Sequence, residues 1–159
     1  IDRSIEHVLM AECRRWAAEA QPLVLVAEGL GDSGEIVLPD GAAAGDAPLR
    51  LIVDPLDGTR ALMYDKRSAW ILAAAAPNRG PSTSLADIVV AVQTELPTSK
   101  QYLADTLWAV RGEGARGERH NLLTGDVGWF DPFAPPPLAF DHAEILACAG
   151  GRVSRDRQL

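Results

Sequence analysis

Two aspartates three residues apart are the part of this sequence best suited to chemistry. They lie in the segment DPLDGT at 54–59, directly after the apolar run 49–53. We expect a buried strand to deliver Asp54 to its end and Pro55 to lead the chain out of the ladder, so that a tight turn points Asp57 at the same spot. Two close carboxylates are costly unless a cation neutralises them. Oxygen-only ligands of this kind suit Mg²⁺, Mn²⁺ or Ca²⁺ better than zinc.

The residues beside this pair indicate a phosphate ligand. Gly58 has no side chain, and Thr59 is placed to begin a short helix that continues through Met63. The exposed N–H groups at such a helix start form a natural phosphate cradle. Glu28 stands at the end of another apolar run, 23–27, and would complete the metal shell. The alternative interpretation is that Asp, Pro and Gly only form a turn here, because all three are common turn residues.

The elements that must position these residues follow from hydrophobic periodicity. Apolar residues along one face predict an amphipathic helix over 3–20, with Asp2 at the N-cap position and Pro22 after its end. Two short apolar runs, 23–27 and 49–53, predict buried strands. Between them, residues 29–48 have the composition of a surface loop, with a hairpin edge at its centre over 35–38.

The remainder of the chain has mostly strand character. Three neighbouring strands in a meander are predicted, at 68–76, 86–94 and 101–110, with a Gly-rich link at 111–117 after the last of them. Residues 121–140 are predicted to be irregular, and the segment 143–149 fits a strand or a helix. One helix before a strand-rich remainder predicts an α+β domain.

Composition and charge narrow the class of protein. The chain has 159 residues, of which 47% are hydrophobic and 23% charged, as in one ordinary globular domain. No apolar run is long enough to cross a bilayer. Fifteen basic and 22 acidic residues give a net charge of −7. This charge disfavours a nucleic-acid-binding protein. It also means that a bound phosphate needs a metal cation to offset the negative charge of the protein. Two cysteines and no disulfide framework suit a cytoplasmic protein.

The DPLDGT segment resembles the signature of the inositol monophosphatase superfamily. Its members are Mg²⁺-dependent, typically lithium-sensitive phosphatases, and include fructose-1,6-bisphosphatases and phosphoadenosine-phosphate phosphatases. Residues 2–6 are similar to the family's Asp-(Arg/Lys)-x-x-Glu, residues 26–28 to its strand-end Gly-Glu-Glu, and residues 104–115 to its Ala-x-x-Gly-x-Gly-Ala stretch. The resemblance implies the layered α/β sandwich of the sugar phosphatases. Residues 1–159 would form its N-terminal part, truncated at both ends and without the C-terminal subdomain.

The resemblance also implies a set of metal ligands. Glu28, Asp54 and the backbone carbonyl of Leu56 would hold one Mg²⁺ ion. Asp54 would bridge to a second ion that it shares with Asp57. Two or three Mg²⁺ ions are expected in such a site, and Mn²⁺ is an alternative cofactor. The arrangement suits two-metal activation of water.

Catalytic and substrate-binding roles follow from the same resemblance. Thr59, helped by Asp2 or Glu28, would orient the attacking water. The amides of Gly58 and Thr59 would bind the phosphate. The predicted function is hydrolysis of a phosphate monoester of a small polyol, sugar or nucleotide, by a protein without nucleic-acid or membrane partners. A homodimer is expected because the family commonly forms one.

Departures from the family pattern leave alternatives open. Gly29 replaces the second strand-end Glu, residues 61–62 replace the Asn and aromatic that usually follow the signature, and the Trp-Asp motif of the second subdomain is not found. One alternative is therefore a truncated or degenerate metal-binding module without turnover. Another is fructose-1,6-bisphosphatase or phosphoadenosine-phosphate phosphatase specificity, and Thr59 argues mildly against the former.

Overall fold

The fold is described from a computed structural model of the chain. The structure describes residues 2–27, 30 and 34–132, and the side chains of the first helix from residue 7 onward. The predicted segment 143–149 lies outside the described residues. The elements, in chain order, are α1 (Asp2–Glu19), β1 (Leu23–Val26), β2 (Glu35–Leu38), β3 (Leu49–Asp57), α2 (Thr59–Met63), β4 (Ala69–Pro77), β5 (Val90–Leu96), β6 (Leu103–Val110), β7 (Gly114–Asn121) and β8 (Val127–Phe130).

All eight strands form a single mixed sheet in the order β2-β1-β3-β4-β5-β6-β7-β8. β1 and β3 are parallel, whereas the other neighbouring strands are antiparallel. This arrangement confirms the α+β class, the long first helix, the edge strand at 35–38 and the meander of β4, β5 and β6. No helix in the described part of the chain is long and apolar enough to span a membrane.

The core lies between α1 and the β2-β1-β3 end of the sheet. On the helix, Cys13 and Ala17 are buried against strand side chains that include Leu23, Leu25 and Val53. The opposite face of the helix is charged and is held by ion pairs from Arg15 to Glu12 and Glu19, at N–O distances of 2.7 and 2.9 Å. Burial is the main cause that raises the pKa of the Cys13 thiol, as expected for a cysteine that acts as a small hydrophobic residue.

The last two strands correct the prediction for the C-terminal third. Residues 111–117 were expected to link strands, but only the first three form a turn, after which β7 begins at Gly114. Residues 121–140 were expected to be irregular, whereas β8 occupies 127–130. The predicted strand at 86–94 also begins later, at Val90, because a 3₁₀ turn over Leu85–Asp87 precedes it.

Cross-strand contacts explain why periodicity missed β7 and β8. Arg119 forms a bidentate ion pair with Asp105, with both N–O distances at 2.7 Å, and its guanidinium lies 5.1 Å from the ring centroid of Phe130. Trp129 meets Trp108 edge to face, with 5.5 Å between ring centroids. Contacts of this kind among β6, β7 and β8 stabilise strands whose own sequences show no hydrophobic alternation.

A matched pair of glycine substitutions tests the packing of these strands. A Cβ at Gly117 would lie 2.7 Å from Phe130 Cζ and 2.9 Å from Leu107 Cδ2, whereas a Cβ at Gly128 would meet nothing within 4 Å. We expect Gly117→Ala to lower the free energy of unfolding by about 1–3 kcal/mol, the usual effect of overpacking. Gly128→Ala should change it by less than about 1 kcal/mol. Urea denaturation measures both, and equal effects would contradict the packing described here.

Candidate metal and phosphate site

A β-bulge in β3 brings the two aspartates of the DPLDGT segment to one face of the sheet. Asp54 pairs with Leu72 and Asp57 pairs with Trp70, so three steps along β3 match two steps along β4. Side chains alternate along a regular strand, and residues three apart would therefore lie on opposite faces. The extra residue in the β3 bulge shifts this alternation by one position, so Asp54 and Asp57 lie on the same face. Asp54 and Asp57 consequently share the face of Leu72 and Trp70, away from α1, because Val53 packs on the α1 side.

This geometry corrects the predicted end of the strand. β3 was expected to stop at Val53, with Pro55 leading the chain out of the ladder, but the strand continues through Asp57. The bulge accommodates Pro55, since that residue has no N–H to contribute to a ladder. The N–H of Leu56 instead donates to Asp54 Oδ1 at 3.1 Å. The two carboxylates are thus positioned by a bulge and not by a tight turn.

The residue that precedes α2 is a glycine with a positive φ angle. Gly58 adopts φ +88°, a left-handed conformation that favours glycine. Thr59 then begins α2, as predicted, and its hydroxyl donates to the carbonyl oxygen of Leu56 at 2.8 Å. The side chain of Leu56 is buried, with 7% exposure, while Asp54 and Asp57 remain exposed. Leu56 therefore anchors the segment and leaves both carboxylates accessible.

The accessible carboxylates have no cationic partner within residues 2–27, 30 and 34–132. Asp54 accepts the N–H of Leu56, and neither Asp54 nor Asp57 forms an ion pair with a described residue. Two carboxylates and the carbonyl of Leu56 form an oxygen-only donor set, which fits a hard divalent cation. The described residues contain no group of three His, Cys, Asp or Glu that could hold a metal by themselves.

Two residues of the predicted site are not placed by the described part of the structure. Glu28, expected as a metal ligand and as a catalytic residue, lies outside the described residues. Asp2 is the first residue of α1, but its side chain is not among those described, so neither its capping role nor its catalytic role is tested. The structure therefore brings together Asp54, Leu56, Asp57, Gly58 and Thr59.

Sequence reasoning missed a large apolar cleft beside Asp54. It has a volume of about 600 Å³, and Gln93 is its other polar lining side chain. Its apolar walls come from five neighbouring strands, β3 to β7, and Ile52, Leu72 and Leu107 are among the lining residues. No local sequence signal marks it, because it is formed by the sheet face that α1 does not cover. The apolar lining of this cleft therefore lies on one side of Asp54.

A second cleft, adjacent to the segment predicted to bind phosphate, was also missed. It has a volume of about 540 Å³ and is lined by α2 and the residues around it, namely Gly58, Thr59, Arg60, Ala61, Tyr64, Lys66 and Arg67. The sequence feature that indicates this cleft is a local excess of basic residues, because three of them lie within 60–67 of a chain that is acidic overall. We call it the cationic cleft.

Comparison with protein-family models and with curated protein sequences finds no match. Among solved structures, the chain is similar to the fructose-1,6-bisphosphatase of Leishmania major. The holo form has a TM-score of 0.48 and 17% identity, and the match covers 69% of this chain and 35% of that one. The apo form has a TM-score of 0.48 and 17% identity, with 82% and 46% covered. This chain thus spans less than half the length of these structures.

Proposed function

We propose that this chain carries the metal and phosphate site of a Mg²⁺-dependent phosphatase of the inositol monophosphatase type. The reaction would be hydrolysis of a phosphate monoester of a small polyol, sugar or nucleotide. The observation that supports this proposal most is the bulge in β3. It puts Asp54 and Asp57 on one face, immediately before the left-handed Gly58 and the start of α2.

The proposed metal ligands are oxygen atoms from consecutive parts of one segment. Asp54 and the carbonyl of Leu56 would hold one Mg²⁺ ion together with Glu28, and Asp57 would share a second ion with Asp54. Mg²⁺ in such a site polarises the phosphoryl group and lowers the pKa of bound water. The carboxylates supply the charge that the ions need, since no described cation competes for them.

The remaining roles belong to the start of α2. The first N–H groups of a helix have no intrahelical acceptor, so those of Gly58 and Thr59 would bind the phosphate oxygens. The hydroxyl of Thr59 donates to the Leu56 carbonyl, which leaves its oxygen free to accept a hydrogen bond from the attacking water. Asp2 or Glu28 would assist in holding that water.

A metal-binding module without turnover is the second candidate function. The observation that favours it is the ligand count, because two carboxylates are all that the described residues assemble here. Two-metal catalysis needs both cations, and incomplete ligation would weaken the second site.

Phosphate release from a small panel of esters separates the two candidates. The panel contains inositol monophosphate, fructose-1,6-bisphosphate, phosphoadenosine phosphate and a chromogenic monoester, each assayed with Mg²⁺ and with EDTA. Release that requires Mg²⁺ would support the phosphatase and identify its substrate class. Mg²⁺ binding without release would favour the metal-binding module. Release that EDTA leaves unchanged would contradict the proposed mechanism.

A further inference from the structure

The cationic cleft concentrates positive charge in a protein whose net charge is −7. Arg60, Lys66 and Arg67 line it, and all three side chains are exposed. Tyr64, which is 69% exposed, lies among them, with Lys66 Nζ 5.6 Å from its ring centroid. Cations grouped on one concave surface repel each other, so the arrangement favours occupation by an anion.

The three cations of the cleft have no carboxylate partner among the described residues. Within the described ranges, none of the three forms an ion pair or a side-chain hydrogen bond. Elsewhere in the same ranges, basic side chains do pair with carboxylates; these are Arg15, Arg50, Arg79, Lys100 and Arg119. Arg14 and Arg116 also have no ion pair among the described residues, but they lie apart on α1 and β7, whereas the three cations of the cleft line one concave surface.

The one acidic side chain within the segment 60–67 is directed elsewhere. Asp65 accepts the backbone N–H of Ser99 at 2.8 Å and its hydroxyl at 2.7 Å, and Lys100 lies 3.7 Å away. The hydrogen bonds from Ser99 are the main cause that lowers the pKa of Asp65. Its charge is thus compensated at the 98–101 turn and does not neutralise the cleft.

We propose that the cationic cleft binds an oxyanion, a phosphate or carboxylate carried by the substrate in addition to the phosphate that is hydrolysed. This inference rests on the proposed function. Gly58 and Thr59 line the cleft and also belong to the proposed phosphate site, so one small molecule can reach both. Arginine matches phosphate and carboxylate with two parallel N–H groups, which makes Arg60 and Arg67 the main recognition residues. The substrate class is therefore a phosphate ester with a second anionic group.

Binding of inorganic phosphate in EDTA tests the cleft alone. Without metal, the exposed carboxylates of Asp54 and Asp57 repel phosphate, so binding under these conditions reports on the cations. We expect Arg60→Gln/Arg67→Gln to weaken binding by at least about 10-fold, because the loss of even one charge-assisted hydrogen bond has an effect of about this size. The control Arg14→Gln/Arg116→Gln removes the same charge from exposed positions on α1 and β7, and should weaken binding less than about 2-fold. Calorimetry and phosphorus NMR both measure this binding.

The outcomes separate the cleft from the phosphatase. Selective loss in the Arg60/Arg67 variant supports the cleft. Equal loss in both variants, or no metal-free binding by the unmodified chain, overturns it. The ester panel reports on the phosphatase independently: a failure to release phosphate there, with selective binding here, would leave the anion site standing and remove the proposed reaction.

Discussion

Replacing Asp54 with asparagine should reduce Mg²⁺-dependent phosphate release by at least about 100-fold, comparable to the loss of one electrostatic group in a catalytic site. The substitution removes a negative charge from the ligand that is proposed to contact both ions. It keeps the Oδ1 atom that accepts the N–H of Leu56 at 3.1 Å, so the bulge should persist. The measurement is the initial rate of phosphate release at saturating Mg²⁺, with the fold checked by circular dichroism.

Asp46→Asn is the matched control for this experiment. Asp46 is exposed in a 3₁₀ turn over Ala44–Asp46, outside the candidate site, and its substitution makes the same change in net charge. Release by this variant should stay within about 2-fold of the unmodified chain. If Asp54→Asn retained activity similar to that of Asp46→Asn, Asp54 would not be a metal ligand.

Replacing Leu25 with alanine should lower the free energy of unfolding by about 3 kcal/mol, within the usual range for a buried leucine. Leu25 is fully buried in β1, at the centre of the core that α1 forms with the sheet. β1 lies parallel to β3, and its pairing with residues 49–52 supports the strand that carries both aspartates. Urea denaturation followed by circular dichroism measures the change.

Leu123→Ala supplies the matched control for stability. Leu123 is 79% exposed in the turn between β7 and β8, so its truncation should change the free energy of unfolding by less than about 0.5 kcal/mol. A similar effect at both positions would contradict the location of the core. A large effect at Leu25 alone would confirm that the core between α1 and the sheet stabilises this end of the protein.

Local patterns account for the elements that the sequence predicts well. The helix over 2–19 has a continuous apolar face, and β1 and β4 are apolar runs bounded by turn residues. The strands at 114–121 and 127–130 are different, because polar and charged residues such as Arg119 form their contacts. Those contacts join residues distant in sequence, and single-strand periodicity does not contain them.

The candidate site likewise depends partly on its local sequence and partly on contacts between residues distant in sequence. The types and spacing of Asp54, Asp57, Gly58 and Thr59 are enough to predict a metal and a phosphate ligand. Their placement on one face depends on the register between β3 and β4, which the segment alone does not encode. The cationic cleft likewise depends on how α2 and the residues after it fold together. The role of Glu28 stays a prediction.

Mn²⁺ uptake by the unmodified chain and by Asp57→Asn is the most direct test of the metal centre. The signal of free Mn²⁺ in electron paramagnetic resonance reports uptake without requiring turnover, and Mg²⁺ competition identifies the same site. We predict that the unmodified chain binds Mn²⁺ in competition with Mg²⁺. Asp57→Asn should bind Mn²⁺ at least about 10-fold more weakly, because replacing a residue that only hydrogen-bonds to a metal ligand already lowers metal affinity by about this factor. Equal Mn²⁺ affinity in the two proteins, or no uptake by either, would contradict the metal centre.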